Sequence, residues 1–510
     1  MSNCWLKLAL TLAIAVPGLG ALAPAAQAQT LRIGLAEDPD VLDPHLARTF
    51  VGRIVFASLC DKLIDIDDKL NFVPQLATSW TLAPDGKALT FKLRPGVQFH
   101  DGTPVDAEAV RINIERAQTH PRSFRKAEIA PVERVEVVDP LTARFVLKEP
   151  FAPLLAQLSD RAGMLISPKA IEQEKTQAGA IGQKPVCAGP FKFVERLQQD
   201  RIVVEKFDGY WNKDQIHVQR VTYLPIPDST VRLANLQSGQ FDLIERTSPN
   251  DLAAVRKDAK LKLTAITGLA YQGITINLAN GDRAKNPLGQ DRRIREALEL
   301  SIDRVALNQV VFNGEFEPGN QPVPPNSPYY VKKFPIPKRD VARAKALLRE
   351  AGHPTFAFEL MVPNDTQMTS QAQVVQAMAR EAGFDIKLVS TEFATALQKQ
   401  TQGDYTAFQI GWSGRSDPDG NINVFITCGA ALNEGKYCDA DADKWLNEAR
   451  RTADLAQRQN AFEKAAEIYM PAVQRIYLYH QRWFYAHSAK LTGFVPVPDG
   501  LIRLAGVKLQ

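Results

Sequence analysis

Residues 356–412 read FAFELMVPNDTQMTSQAQVVQAMAREAGFDIKLVSTEFATALQKQTQGDYTAFQIGW. Phe356 to Val362 is an apolar run of strand length, Gln371 to Glu381 spaces its apolar residues as a helix does, and Ile386 to Val389 returns to a strand. A second helix, Phe393 to Gln402, leads to a strand from Tyr405 to Trp412. Ala351-Gly352 before Pro354, and Ala382-Gly383, punctuate the helix ends. The order β-α-β-α-β predicts a mostly parallel sheet flanked by helices, an α/β fold, and the same style of unit fills the chain between Ile274 and Tyr479.

Towards the C-terminus, a helix from Ala456 to Met470 stops at Pro471. The strand that follows, Arg475 to Tyr485, carries Tyr477, Tyr479, Trp483 and Tyr485 at even spacing, so they are expected on one face. That face either packs the sheet or lines a cleft. A Pro-rich stretch, Gln321 to Pro328, is expected as a surface connection.

Towards the N-terminus the pattern becomes sheet-rich. A strand at Leu31 to Leu35 precedes a helical stretch from Arg53 to Leu63, and Leu89 to Leu93 alternates as a strand. Asp106 is placed to cap a helix through Ala117. Strand pairs follow around Val135 to Val146, turning at Asp139-Pro140, and around Phe191 to Lys206, turning at Gln198 to Asp200.

The first residues combine Lys7, an apolar stretch from Leu8 to Val16 and a small-residue end at Ala26-Gln27-Ala28, which reads as a secretory signal peptide cut after Ala28. The apolar run falls short of the roughly 20 residues that a bilayer span needs. Cys4 precedes that run, so no lipid-modified terminus is expected, and the product is expected in the periplasm. After cleavage 482 residues remain, enough for at least two lobes. They carry 60 basic and 57 acidic side chains without long runs of one sign, which argues against a nucleic-acid partner.

Four cysteines remain, Cys60, Cys187, Cys428 and Cys438, and allow three pairings in an oxidising compartment. The short spacing favours Cys428 with Cys438, leaving Cys60 with Cys187; free buried thiols are the alternative.

Catalytic patterns are absent or broken. Gly411-Trp412-Ser413-Gly414 resembles a nucleophile elbow but brings its second glycine one place early. There is no H-E-x-x-H, and of seven scattered histidines only His480 and His487 are close in sequence, so no metal site is expected. Gly268 to Gly273 opens like a phosphate-binding loop but continues Ile274-Thr275 without the lysine. Asp417 and Asp419 flank Pro418 and read as turn formers more readily than as an acid and base pair.

Several segments together resemble the extracytoplasmic solute-binding proteins of family 5, the dipeptide-, oligopeptide- and nickel-binding group. They are Asp43-Pro44-His45, Pro74 to Trp80, the run Phe91 to Pro104, Gly189-Pro190-Phe191, Gly209-Tyr210-Trp211, Gln237 to Asp242, Arg292 to Leu298, and Ala344 to Leu348 continuing to Ala351-Gly352. The resemblance implies a two-lobed periplasmic binding protein of type II, cluster C. Its first lobe is 29–275 plus 481–510, with an extra sheet-rich subdomain at about 80–186; its second lobe is 276–480. It further implies hinge strands between the lobes, capture of a small molecule for an ABC importer, permease subunits in the inner membrane as partners, a monomer, no cofactor and no catalysis. Nickel- or haem-binding members of the family, a secreted hydrolase using Ser413, and a sensory role are the rival readings.

Peptide-binding members resemble this chain at Trp412, within a Trp-x-x-Asp pattern whose carboxylate receives the ligand's ammonium. Here the fourth position is Arg415, a charge reversal that favours a carboxylate-bearing, peptide-like or anionic ligand, opine-like or glutathione-like. Turned outward, Arg415 would instead pair with Asp417 or Asp419. By position in the family, Tyr271, Trp412, Ser413, Gly414, Arg415, Asp417 and Trp483 are the expected ligand contacts, and a Cys60–Cys187 bond would shape the pocket from below.

Overall fold

The apolar run that opens the quoted segment becomes strand Phe356–Pro363, which lies between Phe384–Thr391 and Ala407–Gln409 and parallel to both. A strand enclosed in this way carries apolar side chains on both faces, which is why its sequence does not alternate. This computed structural model describes residue 1 and residues 30–510, so the expected signal peptide lies outside the described residues. Helix Thr366–Ala382 begins ahead of the expected Gln371 because Asp365 accepts the amide of Met368 at 2.9 Å. It ends at Gly383, whose φ of 107° suits only glycine. The expected strand from Tyr405 is reduced to Ala407–Gln409 and a lone bridge from Trp412 to Tyr271.

These strands are one flank of an eleven-stranded sheet. From Phe384–Thr391 it runs through Phe356–Pro363 and Ala407–Gln409 to two long strands, Leu261–Ile276 and Arg475–Ser488. It then continues through Leu243–Ile244, Thr30–Leu35, Arg220–Pro225 and Arg201–Lys206 to Phe191–Leu197. The two long strands pair antiparallel from Leu261 opposite Ser488 to Thr275 opposite Arg475, and they pass from one apolar core to the next. Phe56, Tyr223 and Trp483 belong to the first core; Ile276, Leu360 and Leu478 belong to the second.

A third core, with Phe91, Phe99 and Phe145, packs on a separate antiparallel sheet ordered Ala77–Leu82, Ala88–Leu93, Thr142–Leu147, Val132–Asp139. Asp106 caps its helix, Ala107–Thr119, by accepting the Ala109 amide at 2.8 Å. The run Phe91 to Pro104 fastens this unit to the first core. His100 donates its amide to the Cys187 carbonyl at 2.8 Å, and Asp101 accepts from Ser167 Oγ at 2.6 Å.

Three local expectations need correction. Helix Phe50–Leu59 starts at a Thr49 cap, not at Arg53, and ends before Leu63. Tyr477, Tyr479, Trp483 and Tyr485 do not share one face. Opposite His480 to Arg482 the partner strand inserts two extra residues, and Leu478 is an extra residue of this strand opposite Gln272 and Gly273; Tyr479 packs in the second core with Phe484, while Trp483 and Tyr485 pack in the first. The Pro-rich loop is only partly a surface connection, since Gln321 is buried with its amide on the carbonyls of Val331 and Phe334.

Both disulfides form, Cys60–Cys187 and Cys428–Cys438. Cys60 and Cys187 lie within the first core, and neither is in the wall of the cleft described below. Among the described residues no helix is long and apolar enough to cross a membrane. The bonds close loops of very different size, with sequence separations of 127 and 10 residues. Loop-closure entropy then gives about 5 kcal/mol for the first and about 3 kcal/mol for the second. Urea unfolding of Cys60→Ala/Cys187→Ala is expected to show the larger loss of stability, and Cys428→Ala/Cys438→Ala the smaller.

Candidate functional site

Trp412 stands at the junction of the two lobes. Its backbone exchanges hydrogen bonds with Tyr271 at 2.8 and 3.0 Å, its indole Nε1 donates to Asn421 at 3.0 Å, and its ring meets Phe425 edge-on at 4.9 Å. Gly414 follows with φ of 82°, and a Cβ there would lie 2.4 Å from the Leu269 backbone, so the turn passes the first crossing strand only as glycine. Trp412, with Ser413, Phe393 and Phe50, forms a partition shared by two adjoining compartments of a cleft lined from both lobes.

The first compartment is lined by Arg48, Arg125, Arg161 and Arg475, with no aspartate or glutamate of the described residues in its wall. Arg48 pairs with Glu434 at 3.0 Å, and Arg125 with Glu128. Arg161 reaches no carboxylate closer than 3.9 Å, and Arg475 has none among the described residues; its Nη1 donates to Tyr271 Oη at 2.7 Å. The Nε atoms of Arg48, Arg125 and Arg161 are buried without a hydrogen-bond partner. Burial, then the neighbouring Arg125 charge, pushes the Arg161 pKa down. Guanidinium donors held under-neutralised and unpartnered are suited to a ligand carboxylate, which offers two acceptor oxygens to a planar fork.

Arg415, the expected anchor, does not line this compartment, and it does not turn outward to Asp417 or Asp419. Its Nε lies 2.6 Å from Asp160 Oδ2, and Arg53 Nη2 reaches the same oxygen at 2.8 Å. The angles at that oxygen make these ion contacts, whereas Arg53 Nε to Oδ1 at 3.2 Å is a directed hydrogen bond. Arg53 and Asp160 come from the first half of the chain and Arg415 from the second, so the carboxylate ties the cleft walls together. Burial raises the Asp160 pKa, but Arg415, Arg53 and Arg161 outweigh it and hold the carboxyl well below the usual range. Arg415 itself is pushed down to about 10 by burial and then by Arg53.

The other expected residues divide. Trp412, Ser413 and Trp483 line the cleft, Trp483 stacked on Phe50 at 4.6 Å. Ser413 Oγ accepts from Arg53 at 3.0 Å, a group that cannot act as a general base, and no histidine lines either compartment. Tyr271 is fully buried behind the wall, where its hydroxyl orients Arg475. Asp417 is held by Arg458 at 2.7 and 2.9 Å and Asp419 by Arg450 at 2.5 Å, away from the cleft. Gly414 serves the turn. Arg48, Arg125, Arg161, Arg475, Phe50 and Phe393 were not anticipated as site residues, although Arg475 heads the aromatic strand and Phe393 the helix before Tyr405.

Comparison with known proteins gives the family and the fold. The profile of bacterial extracellular solute-binding proteins, family 5 middle, matches residues 71–433. The glutathione-binding protein GsiB of Pectobacterium atrosepticum is 30% identical over 481 residues, 92% of each chain. Among solved structures, the Helicobacter pylori periplasmic binding protein DppA in complex with the peptide STSA superposes with a TM-score of 0.86 at 24% identity, covering 94% of this chain and 98% of its own. The binding protein AgaA of A. tumefaciens R10 in complex with agropinic acid gives 0.85 at 25% identity, covering 94% and 99%. These neighbours share the two-lobed α/β architecture.

Removing the Asp160 charge leaves Arg53 and Arg415 buried and uncompensated. Asp160→Asn is expected to cost about 3–5 kcal/mol in urea unfolding at neutral pH. Because the folded carboxyl has a depressed pKa, its contribution is present in full above about pH 4 and lost only as pH falls through the depressed value. The gap between wild type and Asp160→Asn should therefore stay constant from pH 8 to 5 and close in stronger acid.

Proposed function

This chain belongs to family 5 of the bacterial extracellular solute-binding proteins, the substrate-binding components of ABC importers, and we propose that its solute is small, peptide-like and carboxylate-bearing. The arginine-lined compartment carries the proposal. Four guanidiniums face one space with no acidic residue in its wall, and two of them lack a close carboxylate partner. The glutathione specificity in the name of the GsiB relative and the agropinic acid in the AgaA complex are consistent with such a ligand.

Capture works through lobe closure. The solute binds the closed form more tightly than the open one and shifts the population towards it. Closure brings Arg48 onto Glu434 and Arg415 onto Asp160, so an ion pair on each side of the cleft holds one lobe to the other. The strands Leu261–Ile276 and Arg475–Ser488 act as hinges, with the extra residues opposite His480 to Arg482 as the bending point. Binding draws on water release from the aromatic partition and on charge-assisted hydrogen bonds, with no covalent step and no cofactor. The protein is exported by cleavage after Ala28, works in the periplasm as a monomer, and presents the closed form to permease subunits in the inner membrane. Family members are binding proteins, and this chain acts as one without turning over its ligand.

The test uses glutathione as probe in isothermal titration calorimetry. Arg475→Met removes a charge-assisted bond worth about 1.5–3 kcal/mol, so affinity should fall roughly 10- to 100-fold while the thermal unfolding of the free protein changes little. Equal affinity in Arg475→Met and wild type would remove the arginine compartment from the account.

A further inference from the structure

The second compartment, across the Trp412 partition, has the opposite hydrogen-bond deficit. It is lined among others by Glu37, Arg246, Gln272, Asp365, Gln409 and Gln481. Gln272 is 8% exposed and Gln409 is fully buried, and the side-chain oxygens of both have no hydrogen-bond partner. Their nitrogens are already engaged, Gln272 Nε2 with Gln481 Oε1 at 3.3 Å and Gln409 Nε2 with the Met368 carbonyl at 2.7 Å. Two buried acceptors of this chamber are thus left without a donor.

The chamber also lacks positive charge. Glu37 and Asp365 line it, and its one guanidinium, Arg246, is shared between Glu37 and Glu245, to which it donates at 2.6 and 3.0 Å. Burial raises the Glu37 carboxyl to about 7 against the opposing pull of Arg246, with Glu245 adding to the rise. An arriving cation would relieve that charge. The arginine compartment on the other side of the same partition offers unpartnered Nε donors, so acceptors are in excess at one end of the cleft and donors at the other.

We propose that the Glu37–Gln272–Gln409 chamber is an ammonium subsite, so that the solute is amphoteric, with its amino end here and its carboxylates among the arginines across Trp412. This rests on the carboxylate reading of the arginine compartment given above. An ammonium has three donors and one charge, matching two amide oxygens and a carboxylate. It also reconciles the charge reversal at Arg415 with a peptide-like ligand. The acid for the amino group comes from Glu37 of the first lobe, and Arg415 is committed to Asp160.

Three probes separate the claims in calorimetry: glutathione, N-acetylglutathione, which lacks the ammonium, and glutarate, an amine-free dicarboxylate. Wild type is expected to bind glutathione at least 30-fold more tightly than its N-acetyl form. Glu37→Gln should weaken glutathione at least tenfold and leave N-acetylglutathione within twofold. Gln272→Met gives the same pattern if Glu37→Gln fails to fold. N-acetylglutathione binding as tightly as glutathione overturns the ammonium subsite, as does binding of glutarate without binding of glutathione. The carboxylate reading fails separately, if Arg475→Met leaves glutarate and glutathione affinity unchanged or if wild type takes none of the three probes.

Discussion

Two antiparallel strands, Leu261–Ile276 and Arg475–Ser488, are the backbone connection on which both lobes of this protein depend. Each strand contributes side chains to more than one core, so neither core can be completed without them. Their pairing is continuous at both ends and shifts register twice in the middle, between Thr267 and Tyr271 and between Gln272 and Gly273. The cleft opens beside that interruption, lined by Gln272 and Gln481.

Charge in the cleft is arranged in three layers with different tasks. Asp160 joins Arg53 and Arg415 and is spent on holding the walls together. Arg48, Arg125, Arg161 and Arg475 line the cavity, the first two paired with Glu434 and Glu128 and the last two without a close carboxylate among the described residues. Glu37 and the glutamine oxygens lie across the aromatic partition. A buried cluster of like charges is destabilising on its own, because burial disfavours every one of them and each neighbour adds repulsion. The carboxylate ligand proposed above would balance it.

The fold was more legible than the site. Strand Phe356–Pro363 and the helix ending at Gly383 follow from local apolar spacing and turn chemistry, which a single segment contains. The start of that helix was missed because Asp365 acts through a hydrogen bond and not through apolar spacing. The run Phe91 to Pro104 identifies the family and turns out to be structural, locking the third core onto the first through His100 and Asp101. The cleft arginines belong to no local pattern. Arg48, Arg125 and Arg161 lie in unremarkable surroundings and meet only through tertiary convergence. Arg415 was conspicuous as a reversed charge, yet its partner Asp160 sits far upstream in the sequence, so its role as a clamp was not visible.

The Cys60–Cys187 bond holds the two Cα atoms 4.9 Å apart, and the third core, from Leu63 to Leu165, lies almost entirely between them in sequence. The segment between them is thus a covalently closed ring, and it reaches inward as well as outward: it supplies Asp160 to the wall clamp and Arg125 and Arg161 to the arginine compartment. The bond acts as a brace across the base of that ring, so its outer sheet can change only in ways that leave those three side chains in place.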